Sequence, residues 1–368
     1  MMVKAIELDF FRNYAHIEAQ FSPEVNVIWG ENAQGKTNLL EAISYLSTAS
    51  SHRARYDREL IQFGIDHAFV KAEIFSRQRD FTVEARLSRN GRRQLFSNGV
   101  RLKTAGELSG ILNTVLFCPE DLYLIRSGAA ERRRFLDECI CQLRPRYAAA
   151  LAEYRRIYEQ KTRILRDSGD KPSLLDTLDD FNLRMAQTGA ILIHYRAHFI
   201  RKLCQYAPAI HRDFSGGREE LTLRYETVKT VPDPEAAPRD ILPYVLEHQE
   251  AHRRAELEVG QCLSGPHKDD LVVELDGVDA RTYASQGQTR TAALSLKLGS
   301  REIFYHDTGE WPVLLLDDVL SELDARRQSF VLNRIKGGQV FISGCEDCGL
   351  EGLERGRVFR IHAGQIVK

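Results

Sequence analysis

Residues 25–40 read Val-Asn-Val-Ile-Trp-Gly-Glu-Asn-Ala-Gln-Gly-Lys-Thr-Asn-Leu-Leu, and this stretch limits the possible folds more than any other. Val25, Val27 and Ile28 predict a short buried strand, while Leu39, Leu40, Ile43 and Leu46 recur at helical spacing. Between them, Gly30 to Thr37 spells G-x-x-x-x-G-K-T, a phosphate-binding loop in the strand-then-helix setting it requires. Loop N–H groups and the positive end of the following helix together favour a polyphosphate. The candidate ATP-binding residues here are Gly30, Glu31, Asn32, Ala33, Gln34, Gly35, Lys36, Thr37 and Asn38. A side chain at Gly30 or Gly35 would crowd the phosphates. Lys36 is expected to reach the β- and γ-phosphates, and Thr37 to offer its hydroxyl to Mg²⁺.

A second stretch completes such a site. Trp311 to Asp318 is an apolar run ending in two acids, as a buried parallel strand carries a carboxylate at the sheet's ligand edge. Asp317 is the candidate Mg²⁺ ligand opposite Thr37. Asp318 is the candidate group that orients or deprotonates the attacking water, so Lys36, Asp317 and Asp318 form the catalytic set. Upstream, Ser285-Gln286-Gly287-Gln288 opens an amphipathic helix and makes another anion-binding corner, with Ser285, Gly287 and Gln288 as nucleotide contacts. Two such corners in one chain suggest a site shared by two chains. Ser321-Glu322-Leu323-Asp324, directly after the acids, is expected at that seam.

The remaining chain divides by rhythm. Residues 68–102 alternate as an antiparallel meander, with two-residue hairpin turns expected at Asn90-Gly91 and Asn98-Gly99. From about 129 to 262 the period is helical, with Phe135, Leu136, Cys139, Ile140 and Leu143 on one face. Residues 214–240, with Gly216-Gly217 and three prolines, read as the most mobile loop. Arg53, Arg55 and Arg58 read as a solvated loop or a phosphate contact, and Glu131-Arg132-Arg133-Arg134 as a solvated face or a nucleic-acid contact. His267 beside Asp269 and Asp270 fits a structural or nucleotide-sensing turn better than a metal site.

Composition removes some function classes. At 368 residues the chain exceeds one ordinary domain, and a formal net charge of −1 argues against a polycationic nucleic-acid binder. No apolar run approaches membrane-spanning length, and the start lacks an apolar signal core, which points to the cytoplasm. Seven scattered cysteines fit reduced thiols, and the single CxxC, Cys345 to Cys348, lacks a partner pair at zinc spacing.

Taken in order, these motifs resemble the RecF family of bacterial DNA-repair ATPases, whose heads are of the ABC and SMC type. The resemblance covers nearly the whole chain. It is carried by Phe11-Arg12-Asn13-Tyr14, the phosphate loop, Phe117-Cys118-Pro119-Glu120-Asp121-Leu122 and Arg132-Arg133-Arg134-Phe135-Leu136-Asp137. Gly265-Pro266-His267-Lys268-Asp269-Asp270-Leu271, Ser285-Gln286-Gly287-Gln288 and Leu315 to Asp324 continue it. It implies an α/β fold: an ABC/SMC-type P-loop ATPase head with an antiparallel meander lobe, plus an inserted compact α-helical domain. The expected bounds are 1–118 and 263–368 for the head and 119–262 for the helical domain.

The resemblance also implies an ATP-dependent homodimer that clamps single-stranded and gapped or junction duplex DNA. It further implies work with RecO and RecR to load RecA, support for SOS induction, and weak DNA-stimulated ATP hydrolysis. Two departures stand out. Pro119-Glu120-Asp121 occupies the place of the usual loop glutamine, and Ser343-Gly344 that of the usual switch histidine, so the γ-phosphate sensor is unassigned. The competing readings are a monomeric small-molecule phosphotransferase and a non-hydrolysing ATP-bound scaffold.

Overall fold

The computed structural model describes residues 1–335, 337–344 and 356–367, so the Cys345/Cys348 pair lies outside the described residues. The chain begins with β1 (Met2–Phe11), β2 (Tyr14–Gln20), β3 (Val25–Trp29) and α1 (Lys36–Thr48). It continues through β4 (His67–Ser76), β5 (Arg79–Ser88), β6 (Gln94–Ser97), β7 (Val100–Arg101) and β8 (Thr114–Phe117). Then come α2 (Ala129–Leu143), α3 (Pro145–Asp167), α4 (Leu178–Ser215), β9 (Leu221–Glu226) and α5 (Pro238–Val259). Next are β10 (Asp270–Leu275), β11 (Val278–Asp279), α6 (Ala280–Tyr283), α7 (Gln286–Thr308) and β12 (Val313–Asp317). The last elements are α8 (Ala325–Arg334), β13 (Val340–Gly344), β14 (Gly356–His362) and β15 (Gln365–Val367). Two compact units result, one from Met1–Tyr123 with Leu296–Lys368, the other Leu124–Ser295.

The first unit holds two six-stranded sheets. One has the order β15-β14-β3-β13-β12-β8, parallel from β14 to β8 with β15 antiparallel at the edge. Its strands are apolar without alternation because both faces are covered: Val313, Leu314, Leu315 and Leu316 are all buried. The other sheet is antiparallel, in the order β2-β1-β4-β5-β6-β7, so the meander extends the amino-terminal hairpin rather than standing apart. Helix α1 turns Leu39, Leu40, Ile43 and Leu46 into a core shared with Val3, Leu8, Val70 and Phe341. Each such side chain contributes roughly 1.5–3 kcal/mol on burial.

The turns of the meander differ in part from expectation. Asn98 and Gly99 form the two-residue turn between β6 and β7, both with positive φ (49° and 75°). Between β4 and β5 the same turn is made by Arg77 and Gln78 (φ 49° and 59°), residue types that give no turn signal. Asn90-Gly91 is not a two-residue turn; it sits in the longer connection from β5 to β6.

The second unit packs α3 and α5 against the long α4 and adds a three-stranded antiparallel sheet, β11-β10-β9. Here two expectations are corrected. Residues 214–240 are not simply a loop, because Leu221, Leu223 and Tyr225 alternate with Thr222, Arg224 and Glu226 as β9, which pairs along all of β10. Val228 and Val231 then bury against Ala190, Ile193, Ile241 and Val245. Residues 263–295, expected with the head, pack in this second unit because β10 is held by β9 and by α2.

Arg132 is not part of a solvated face, and Arg133 is half-buried. Arg132 is buried and makes a bidentate pair with Asp270 (2.7 Å for each bond), and Arg133 donates to the Asp269 carbonyl. Arg196 of α4, itself buried, donates to Asp137, to Asp269 and to the Pro266 carbonyl. The Tyr225 and Thr227 hydroxyls also donate to Asp269. His267 is taken up by the Tyr154 hydroxyl (2.7 Å) and the Cys262 carbonyl (3.1 Å), so this turn is structural.

Candidate nucleotide-binding site

Residues 30–35 connect the end of β3 to the start of α1 and form a cradle. Gly30 has no room for a side chain because a Cβ there would run into the Ile361 carbonyl oxygen. Gly35 has a φ of 123°, and a Cβ would meet the Asn13 side chain at 2.8 Å. Ala33 takes a left-handed conformation, φ 64°. Helix α1 has no side-chain cap bond at Gly35, and an uncapped helix start of this kind suits an anion.

The cradle is braced from outside. Asn13 Nδ2 donates to the Gln34 carbonyl at 2.8 Å while its Oδ1 accepts from Asn38 Nδ2 at 2.8 Å. The Tyr14 hydroxyl donates to the Gly35 carbonyl at 2.8 Å. Gln34 is gripped again by the N–H groups of Ala363 and Gly364. Arg12 forks onto Glu41 in α1, whose carboxyl stays below the usual range; burial pushes it upward, but Arg12 and Ser51 outweigh it. Arg53 donates to Asn38 Oδ1 at 3.1 Å.

The two halves of the machinery meet. Asp317 ends β12, and its Oδ1 accepts from Thr37 Oγ1 at 2.9 Å. They are 280 residues apart in sequence; the shared parallel sheet, where β13 pairs with both β3 and β12, brings them together. Ser343, at the end of β13, donates its hydroxyl to the same carboxylate oxygen at 2.8 Å and accepts from the Asp318 N–H at 2.9 Å. Burial raises the Asp317 carboxyl above the ordinary range, and the hydroxyls of Ser343 and Thr37 pull it partly back. Asp318 adopts a positive φ of 53° and accepts from Ser321 Oγ through both its carbonyl and its carboxylate.

Lys36 donates its ammonium to the carbonyls of Gly30 (2.5 Å) and Glu31 (3.0 Å). Asp121 lies in the stretch where a loop glutamine is usual. It accepts from the Cys118 N–H and pairs with Lys297 at 2.7 Å. Ser285 and Gln288 cap the start of α7 reciprocally, with Gln288 N–H on Ser285 Oγ (3.3 Å) and Ser285 N–H on Gln288 Oε1 (2.8 Å). This corner belongs to the second unit and the phosphate loop to the first.

No group of three or more His, Cys, Asp or Glu is placed to hold an ion among the described residues. A hydroxyl beside one carboxylate, as at Thr37 and Asp317, suits the hard, largely water- and phosphate-bound Mg²⁺. Sequence reading missed the bracing by Asn13 and Tyr14 and the bridge made by Ser343. The only available signals were the Phe-Arg-Asn-Tyr string and a serine where a histidine is usual. No helix is long and apolar enough to cross a membrane among the described residues.

Comparison with known proteins identifies the family. The model of the RecF/RecN/SMC N terminal domain matches residues 2–354. The "DNA replication and repair protein RecF" of Bacillus subtilis is 40% identical over 378 residues, covering 100% of both chains. That of Agathobacter rectalis is 39% identical, covering 100% of this chain and 99% of the relative. A solved structure of the recombination mediator protein RecF-ATP in the RecFOR pathway superposes with a TM-score of 0.91 at 34% identity, covering 100% of this chain and 97% of that one. The Smc head of Pyrococcus furiosus, at 16% identity and a TM-score of 0.55 over 99% of this chain and 95% of that one, shares the fold alone. With the whole length matched at such identity, the chain belongs to the RecF family and carries its ABC/SMC-type ATPase head.

Proposed function

We propose that this chain is an ATP-dependent DNA-binding switch of replication and recombinational repair. It binds ATP and Mg²⁺, pairs with a second copy around the nucleotide, and holds single-stranded and gapped or junction DNA until slow, DNA-stimulated hydrolysis releases it. RecO and RecR are its partners in loading RecA, and the cytoplasm is its compartment. The observation that carries this reading is the Thr37–Asp317–Ser343 constellation at the mouth of the phosphate loop. The functional head takes in residues 263–295, since the Ser285 corner serves the nucleotide of the partner copy.

The chemistry follows from the residues. Lys36, which here spends its ammonium on two loop carbonyls, exchanges them for β- and γ-phosphate oxygens. Thr37 and Asp317 hold Mg²⁺, which when bound neutralises charge developing on the phosphates. Ser343 keeps Asp317 in place and fixes the backbone of Asp318. The Asp318 carboxylate, oriented by Ser321, positions the attacking water and takes its proton. Between the copies, ATP acts by linkage: a ligand bound better by the dimer shifts assembly toward it. Family membership and the Ser285–Gln288 corner favour this account over a monomeric phosphotransferase or a non-hydrolysing scaffold.

Sedimentation of the purified chain, alone, with Mg-ATP, and with Mg-ATP plus a gapped duplex, tests the reading. A dimer with ATP and a heavier complex with DNA are the expected results. A species that stays monomeric and DNA-free at saturating nucleotide would refute it.

A further inference from the structure

The loop before β4 carries one aromatic ring almost wholly in solvent. Phe63 is 98% exposed. It sits at the apex of a tight turn, with Ile65 N–H on the Gln62 carbonyl (3.2 Å) and Gly64 at a φ of 81°. Single exposed apolar side chains are ordinary. This turn, however, is braced on both flanks. Gln62 N–H donates to the Phe10 carbonyl at 2.8 Å, and Ile61 bridges to Phe11. From the other side, Arg89 donates to the carbonyls of Ile65 (2.9 Å) and Gln62 (3.1 Å). These contacts brace the backbone that carries the ring and leave the ring uncovered.

Arg89 also lines an open cavity of about 800 Å³ in the same compact unit. Five of its lining side chains are basic, among them the exposed Arg58, Arg92 and Lys103. The one acid, Asp57, is taken up by Arg93 at 3.1 Å. Tyr56 lines the cavity too, 48% exposed, with the guanidinium carbons of Arg55 and Arg58 at 5.4 and 4.9 Å from its ring centre. In a chain of net charge −1 this is a local concentration of positive charge.

Guanidinium and ammonium groups grip phosphodiesters whatever the sequence, while an aromatic face accepts any unstacked base. A duplex offers the first and withholds the second. We propose that the Phe63 turn and the adjoining basic cavity receive the single-stranded side of a gapped DNA, with Phe63 stacking on its first exposed base. The inference rests on the DNA-binding function proposed above and gives that function a surface.

Fluorescence anisotropy of the full chain with Mg-ATP, on labelled gapped and blunt duplexes at several salt concentrations, tests it. Phe63→Ala is expected to weaken gapped-DNA binding roughly five- to tenfold and leave the blunt duplex unchanged, with Phe63→Trp restoring the difference. The double variant Arg92→Ala, Lys103→Ala is expected to weaken both DNAs and reduce the slope of log K against log salt by about two. Wild-type discrimination by Phe63→Ala would overturn the inference while leaving the DNA-binding function intact. Loss of ATP affinity in Phe63→Ala would overturn it too, by placing the ring at the nucleotide. Wild-type protein that bound neither DNA would sink the function and this surface together.

Discussion

Asn13 joins three parts of the nucleotide site with one side chain, tying the β1–β2 turn to the Gln34 carbonyl and to Asn38 of α1. Removing it takes away two hydrogen bonds, each worth roughly 0.5–1.5 kcal/mol net. Asn13→Ala is therefore expected to cost about 1–3 kcal/mol of stability and, through the loosened loop, to weaken ATP binding by up to about 150-fold, as read by a melting curve and titration calorimetry. Unchanged ATP affinity would show the brace to be idle. Neither this role nor that of Ser343 was legible in the sequence, because both contacts close over long separations that no local period encodes. Gly30, Lys36 and Thr37 were legible, since their chemistry dictates their spacing. His267 makes a pH prediction. Burial, with Lys268, Arg133 and Lys161 adding positive field, pushes its imidazole down to about 4. The folded state holds it neutral, whereas the unfolded chain takes a proton near pH 6.5, so stability present above 6.5 is lost as pH falls toward 4. By pH 5 that loss amounts to about 2 kcal/mol. His267→Gln should show a smaller drop in Tm between pH 7 and pH 5 than the wild type; equal drops would remove His267 as a cause.

Among the elements, α4 carries the densest internal wiring. Its Arg196 joins α2 through Asp137, α3 through the Tyr147 hydroxyl, and the turn before β10 through Asp269 and the Pro266 carbonyl. Replacing this buried arginine leaves Asp269 with hydroxyl donors alone and Asp137 with the Tyr147 hydroxyl and the more distant Arg155, at 3.4 Å. Arg196→Met is expected to cost about 3–5 kcal/mol in urea unfolding followed by far-UV circular dichroism. A loss below about 1 kcal/mol would mean that the remaining donors, Arg155, Tyr147, Tyr225 and Thr227, suffice. The helices themselves were readable from their apolar stripes, and β12 from its uninterrupted run into Asp317. What was not readable was partnership. Strand β9 hid in a stretch whose glycines and prolines signal a loop, because its alternation covers six residues and becomes a strand only beside β10. The arginines of α2 read as a charged face because nothing in a linear chain shows that Asp269 and Asp270 lie across from them. The turn at Arg77-Gln78 adopts positive φ without glycine or asparagine; the β4–β5 pairing imposes it, and Glu310 holds it by accepting from the Arg77 N–H and the Ser76 hydroxyl.

At the scale of the assembly, the proposed mechanism makes a demand that a single chain cannot meet. The phosphate loop and the Ser285 corner fall in different compact units, and in the proposed dimer each is one half of a nucleotide pocket completed by another copy. Lys36→Ala destroys the first half and leaves the second; Ser285→Arg leaves the first and places a bulky cation where the second must meet a γ-phosphate. Neither variant alone should hydrolyse ATP, and Ser285→Arg should still bind it as a monomer. In a mixed dimer of a two-fold assembly, one pocket combines both lesions, and the other combines the intact loop of one copy with the intact corner of its partner. An equimolar mixture should therefore recover between about a quarter of wild-type DNA-stimulated turnover, where the copies assort at random, and about half, where only mixed dimers form, each mixed dimer carrying one sound pocket. Recovery of this kind cannot arise if each chain completes its own site, because every chain in the mixture is defective. A mixture as inactive as its components, although mixed dimers form on sedimentation, would confine the nucleotide to one protomer and leave Ser285 as a helix cap and nothing more.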